Sequence, residues 1–173
     1  MVLSINYFKL LDIEQKYDID FALLQKQYLQ KQALYHPDRA GSDSARLRSL
    51  EISTQLNEAY KVLKDDFLRA EHLLKLLGQK FDDHDLKSKL SAGDLEAIIE
   101  SHEKLESVKT LEELKLFQGA KVQEKARVVA ELSECFKGNN IAKALEISIG
   151  LKYLTNLVRN IDLKIKHADS RDQ

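Results

Sequence analysis

The chain has 173 residues, with 27 Lys and Arg against 28 Asp and Glu, a formal charge of −1. Hydrophobic residues at 43% supply a core and charged residues at 32% a wet surface, which excludes global disorder. Near-neutrality argues against broad nucleic-acid binding, which needs a basic face to displace counterions.

One proline, Pro37, stands against six glycines. Folds of many short strands need more turn punctuation, and Leu, Lys, Glu, Ala and Gln favour helix, so an all-α protein is expected. A single cysteine, Cys135, forms no internal disulfide and no paired-cysteine zinc site. Residues 1–8 lack the basic start and apolar run of a signal peptide, and no stretch is long enough to span a membrane. A cytoplasmic protein is expected.

In chain order, residues 6–11 predict a short helix that depends on packing. Asp18 or Asp20 caps a second helix running to about Tyr35, with Phe21, Leu24, Tyr28 and Tyr35 on one face and Lys31 interrupting it. Pro37 pushes His36 out of the α region and ends that helix. A loop follows to Ser42 or Ser44, the next N-cap. Leu56, Ala59, Tyr60 and Leu63 form the core stripe of a third helix over about 45–64, and a fourth runs from about Phe67 to Leu77, stopped at Gly78. The polar run 79–85 reads as a hinge. The expected division is 1–78, a linker over 79–92, and a second domain over 93–173.

The second half predicts three longer helices, from about Gly93 to Ser107, from Thr110 to Lys137, and from about Ile141 onward. Thr110 and Glu113 make a capping box. Ile147, Leu151, Leu154, Val158, Ile161 and Ile165 step as a heptad seam, and Val122, Ala126, Val129, Leu132 and Phe136 are the expected partner face. Two antiparallel helices of roughly 40 Å at about 1.5 Å per residue, with a shorter third, make a three-helix bundle; a self-associating coiled coil is the competing reading.

Catalytic patterns are missing. The histidines (36, 72, 84, 102 and 167) form no HExxH and no cluster with cysteine, and no glycine-rich phosphate cradle occurs. Asp82, Asp83, His84 and Asp85 read as a solvated linker rather than a metal site. No enzyme, cofactor or metal is expected.

What stands out is His36-Pro37-Asp38 in a loop between two helices. Alone it could be a helix stop with a chance histidine. Tyr35 precedes it, and Leu56-Asn57-Glu58-Ala59-Tyr60 and Arg69-Ala70-Glu71 follow. That constellation, over residues 4 to about 77, resembles the J-domain of DnaJ-type co-chaperones. Arg69-Ala-Glu-His-Leu-Leu74, with a helical bundle following directly and no glycine-rich linker or cysteine-rich domain, is similar to the bacterial HscB-type co-chaperones of iron–sulfur cluster assembly.

The resemblance implies a co-chaperone that stimulates the ATPase of a DnaK/HscA-type chaperone and delivers an IscU-type iron–sulfur scaffold protein to it, assisting cluster transfer. It implies chaperone contacts at His36, Pro37, Asp38, Tyr28, Lys26 and Arg39. It implies scaffold contacts at Leu95, Glu96, Ile99, Glu100, Glu103 and Tyr153. The family position at Ser107 is normally acidic, and that at Glu96 apolar. Leu95, Ile99 and Glu103 step by four along one helix side; the competing assignment makes Leu95 and Ile99 core, although Ile98 and Leu105 fit the seam better. A monomer without nucleic-acid or membrane partners is expected. The competing functions are a J-domain protein with another client, or a helical adaptor.

J-domains usually carry a basic helix before the loop. Here residues 18–35 set Lys26 and Lys31 against Asp18 and Asp20, and positions basic in relatives read Gln27, Gln30, Ala33 and Leu34. Electrostatic steering from this helix should be weak.

Overall fold

A computed structural model of the chain describes residues 5–36, 38, 41–80 and 90–170. Among these, every regular element is a helix: α1 (Tyr7–Leu10), α2 (Phe21–Leu34), α3 (Asp43–Lys64), α4 (Asp66–Leu76), α5 (Ala92–Ser107), α6 (Leu111–Lys137) and α7 (Ile141–Asp169). The chain divides into two compact units, residues 1–79 and 80–173.

Local chemistry sets the boundaries. Asn6 caps α1, Asp20 accepts the N–H groups of Ala22 and Leu23 at the head of α2, and Ser42 takes that of Ala45 at the head of α3. Each removes an orphan donor from a helix start. Asp65 ends α3 and caps α4, so the two helices share one joint. After α4, Gly78 turns the chain at φ 82, a left-handed conformation that a side chain would disfavour.

The first unit is organised around α3, which packs against α1, α2 and α4. Phe8, Leu11, Leu24, Leu56, Ala59, Leu63 and Leu74 are fully buried there. Two details depart from the sequence expectation. Phe21 is half-exposed rather than core, because as the first residue of α2 it stands over the Arg69 guanidinium (5.2 Å). Lys31 does not break the α2 face, since its ammonium reaches out to Asp12 Oδ2 at 2.8 Å.

Arg69 ties this unit together. Its side chain is almost wholly buried, yet each nitrogen is used: Nε donates to Tyr17 O (2.8 Å), Nη1 to Leu63 O (2.8 Å) and Nη2 to Asp66 Oδ1 (2.9 Å). The guanidinium also lies over the Tyr17 ring at 4.7 Å. One fork thereby joins the α1–α2 connection, the end of α3 and the start of α4. Burial raises the Tyr17 hydroxyl's pKa, with Arg69 opposing, so that hydroxyl stays protonated. His72 of α4 accepts the Tyr7 N–H through Nε2 (3.1 Å) and stacks on the Tyr7 ring (4.5 Å), clasping α1.

In the second unit α6 and α7 form the long antiparallel pair, and α5 packs on α7. Leu105, Leu114, Phe117, Leu157 and Ile161 make one core cluster, flanked by Val108 and Ile165. Leu151, Leu154 and Ile161 of the expected seam are buried, as are Leu145, Ile149 and Leu157, which that seam does not contain. The expected partner face needs correction: Val122 and Ala126 are exposed. The inward stripe of α6 instead runs through Leu114, Phe117 and Leu132, by way of half-buried Lys121, Glu124 and Val128. Lys121 and Glu124 pair at 2.9 Å, and Lys121 lies 5.8 Å from the Phe117 ring centre. Two charges neutralise each other where an apolar pattern would place leucines.

Candidate functional site

The tip of the α2–α3 hairpin carries His36 and Asp38. Antiparallel helices hold it through a polar ladder along their seam. Tyr28 donates its hydroxyl to Asn57 Oδ1 (2.8 Å) and stacks on Tyr60 with ring centres 4.3 Å apart. Gln32 donates to the same Asn57 oxygen (2.6 Å) and to Ser53 O (3.2 Å), and accepts from Ser53 Oγ (2.8 Å). These side chains are directional, so they fix the register of α2 on α3 and with it the position of the tip.

His36 is 55% exposed and Asp38 74% exposed. The backbone N–H of Asp38 donates to His36 Nδ1 at 3.3 Å. A nitrogen that accepts this bond carries no proton, so the 3.7 Å separation between Nδ1 and Asp38 Oδ2 is not an ion pair in this geometry. The imidazole braces the turn, and the carboxylate faces water. Of the other residues expected here, Lys26 is exposed on α2 and Tyr28 is half-buried in the seam with its hydroxyl bonded to α3. Pro37 and Arg39 lie outside the described residues.

The second surface is on α5. Ser91 and Asp94 form a capping box: Ser91 Oγ takes the Asp94 N–H (3.1 Å), and Asp94 Oδ2 accepts from the Ser91 hydroxyl (2.6 Å) and the Ser91 N–H (3.1 Å), bonds that hold the Asp94 carboxyl below its usual range. At the other end Leu105 enters the core, and Lys164 of α7 donates to the carbonyls of Leu105 and Val108. A cation on the last carbonyls of a helix also suits its dipole. Leu105 is the one buried residue of α5, so the helix is anchored at its carboxyl end and shows most of its surface to solvent.

Leu95 is 39% exposed and Ile99 56% exposed, with Glu96, Glu100 and Glu103 exposed around them. Leu95 and Ile99 are therefore surface in this fold, whereas Ile98 turns inward. Tyr153 is half-buried and lines a cleft of about 290 Å³ between α5, α6 and α7, opposite Ile98 and His102. Gly150 forms part of the same wall.

Among the described residues no three His, Cys, Asp or Glu side chains gather as a metal set would require, and no helix is long and apolar enough to cross a membrane. The Asp82–Asp85 run lies outside the described residues. Sequence reasoning passed over the Ser91–Asp94 box, whose S-x-x-D spacing signals it, and the Lys164 clasp, which has no local signature.

A helical hairpin presenting an exposed His-x-Asp tip, with a bundle of two long helices and one shorter one in the second unit, defines a class: J-type co-chaperones with a helical carboxyl-terminal domain. Comparison with known proteins narrows it. Residues 95–162 match the HSCB C-terminal oligomerisation domain. The chain is 31% identical over 168 residues to a co-chaperone protein HscB homologue of Pseudoalteromonas atlantica, covering 92% of this chain and 95% of that one. It is 30% identical over 145 residues to the mitochondrial J-type co-chaperone JAC1 of Saccharomyces cerevisiae, covering 82% and 76%. The crystal structure of human co-chaperone protein HscB superposes with a TM-score of 0.85 at 28% identity, covering 95% of this chain and 84% of that one. The chain belongs to the HscB family of J-type co-chaperones.

Proposed function

We propose that this protein stimulates the ATPase of a DnaK/HscA-type chaperone and delivers an IscU-type iron–sulfur scaffold protein to it, promoting cluster transfer. The observation that carries the reading is the braced, outward Asp38 carboxylate at the end of the hairpin. A rigid tip loses little conformational freedom on docking. Asp38 pairs with a cation of the chaperone, His36 braces the turn, and Lys26, Tyr28, Pro37 and Arg39 supply the further contacts. The tip supplies no group to hydrolysis. It stabilises the chaperone's hydrolysis-competent state, an allosteric coupling.

The scaffold is taken by the exposed side of α5, Leu95 and Ile99 within the acidic rim of Glu96, Glu100 and Glu103, with Tyr153 beside it. An apolar centre in a charged border suits a protein partner. Two contact surfaces on one chain raise the scaffold's effective concentration at the chaperone. The protein acts as a cytoplasmic monomer without a metal or cofactor of its own.

The test is steady-state ATPase of the chaperone with and without this protein and the scaffold. Stimulation that Asp38→Asn abolishes supports the reading. Stimulation that Asp38→Asn leaves intact refutes it.

A further inference from the structure

The three helices of the second unit are packed unequally along their length. Toward the α5–α6 turn, Leu105, Leu114, Phe117, Leu157 and Ile161 fill the space between them. Toward the α6–α7 turn the facing positions carry small or polar side chains: Ala97 and Ser101 on α5, Lys121 and Glu124 on α6, Gly150 on α7. There α5 packs on α7 and barely touches α6, which leaves the cleft of about 290 Å³. A Cβ at Gly150 would meet nothing within 4 Å, a second sign of the same opening. Protein interiors close to crystal-like density with few voids larger than a water, so a gap of this size among three helices stands out.

The lining has two characters. Ile98, Val128, Ile147 and Leu154 supply apolar wall. Ser101, His102 and Tyr153 line it too, and none of them makes a hydrogen bond among the described residues, so their polar atoms are open to a ligand. The charges are unbalanced: the carboxylates of Asp94, Glu124, Glu131 and Glu146 face only the ammonium groups of Lys121 and Lys143. Lys121 is paired with Glu124 at 2.9 Å and Lys143 with Glu146 at 2.8 Å. Asp94 is taken up by the Ser91 cap. Glu131 is left without an ion pair among the described residues.

We propose that this cleft binds a free small organic cation, an amine on an apolar body, with its ammonium paired to Glu131 and its body against Ile98, Val128 and Ile147. A cavity of about 150 Å³ admits one benzene, so the cleft has room for roughly ten non-hydrogen atoms. Spaces between bundle helices, apolar with a few convergent polar groups, are where such ligands lodge. The body gains by leaving water, and the Ser101 and Tyr153 hydroxyls offer acceptors to the remaining ammonium hydrogens. The surplus of carboxylates selects against acids of the same shape.

The test follows the backbone amide NMR shifts of the full chain while phenethylamine is titrated, with phenethyl alcohol as the neutral counterpart and phenylpropionate as the anion. The amine should saturate with a Kd of about 1 mM or below and move the amides of residues 97–102 and 147–154. It should bind at least about threefold tighter than the alcohol and about tenfold tighter than the anion. Glu131→Gln should bring the amine to the alcohol's level and leave the alcohol unchanged. Gly150→Leu fills the cleft from α7 and should weaken both by more than about tenfold. Ser101→Leu fills it from α5 and replaces that variant if its urea midpoint falls. Shifts that never saturate overturn the proposal, as does binding that survives the filling variants. An amine no tighter than the alcohol, or an anion that binds as well as the amine, overturns it too.

Discussion

Replacing Arg69 measures how the hairpin is held. Its guanidinium saturates the carbonyls of Tyr17 and Leu63 and the Asp66 carboxylate at 2.8, 2.8 and 2.9 Å. Arg69→Met roughly conserves volume and removes every donor. It strands two carbonyls in a dry site, at about 1–3 kcal/mol each. Asp66 is partly exposed and recovers water, so losing that pair adds little. The expected loss is about 3–5 kcal/mol, in the range for breaking a buried charged contact. Against a domain stability of about 5–15 kcal/mol this is a large share. Arg69→Lys keeps the charge but has one nitrogen for three acceptors, and should lose about 2–3 kcal/mol. Asp66→Asn should cost under about 1.5 kcal/mol, because both carbonyls keep their donor.

The assay is urea unfolding followed by tyrosine emission. The chain has no Trp and six Tyr, of which 7, 17, 28, 35 and 60 lie in the first unit, so the signal reports that unit. Losses below about 1 kcal/mol for both Arg69 variants would refute the three-way anchor, as would Asp66→Asn matching Arg69→Met.

Three further outcomes follow from the geometry. Burial, then the Lys75 charge, hold the His72 pKa below its ordinary value, against a smaller pull from Glu71. The unfolded chain thus takes up the proton first, so His72's contribution is complete above about pH 6.5 and drains as pH falls toward its native value. The urea midpoint of the first unit should drop between pH 7 and pH 5 and drop less in His72→Gln; equal slopes would contradict the clasp to Tyr7. Gly119 and Gly150 sit inside long helices, and a Cβ at either meets nothing within 4 Å. Gly119→Ala and Gly150→Ala should each stabilise the second unit by about 0.8–1 kcal/mol, read by urea unfolding followed by circular dichroism; destabilisation would mean the open space is not there. The Leu95→Ala/Ile99→Ala variant should weaken scaffold capture while chaperone stimulation persists, with less than about 1 kcal/mol of stability lost. Unfolding instead would return both residues to the core.

What the sequence determined by itself was written in local chemistry. The stop of α2 ahead of Pro37, the choice of Asp18 or Asp20 and of Ser42 or Ser44 as the caps of α2 and α3, and the Thr110 start of α6 were readable, because capping involves neighbours three residues away; the structure takes Asp20 and Ser42. The all-helical class and the stripe Leu56, Ala59, Leu63 were legible for the same reason. Tertiary structure alone decided matters that depend on distant partners. Apolar periodicity chose Val122 and Ala126 for the α6 seam, where the fold uses Lys121 and Glu124, since a neutralised pair can occupy a half-buried stripe. Arg69, a basic letter within a motif, became the buried joint of three segments only when Tyr17 and Leu63 were brought to it. Lys31 was admitted beside the core by Asp12, and α5 was anchored by Lys164, 59 residues beyond Leu105. A charge's partner is chosen by proximity in space, and no periodicity along the chain encodes it.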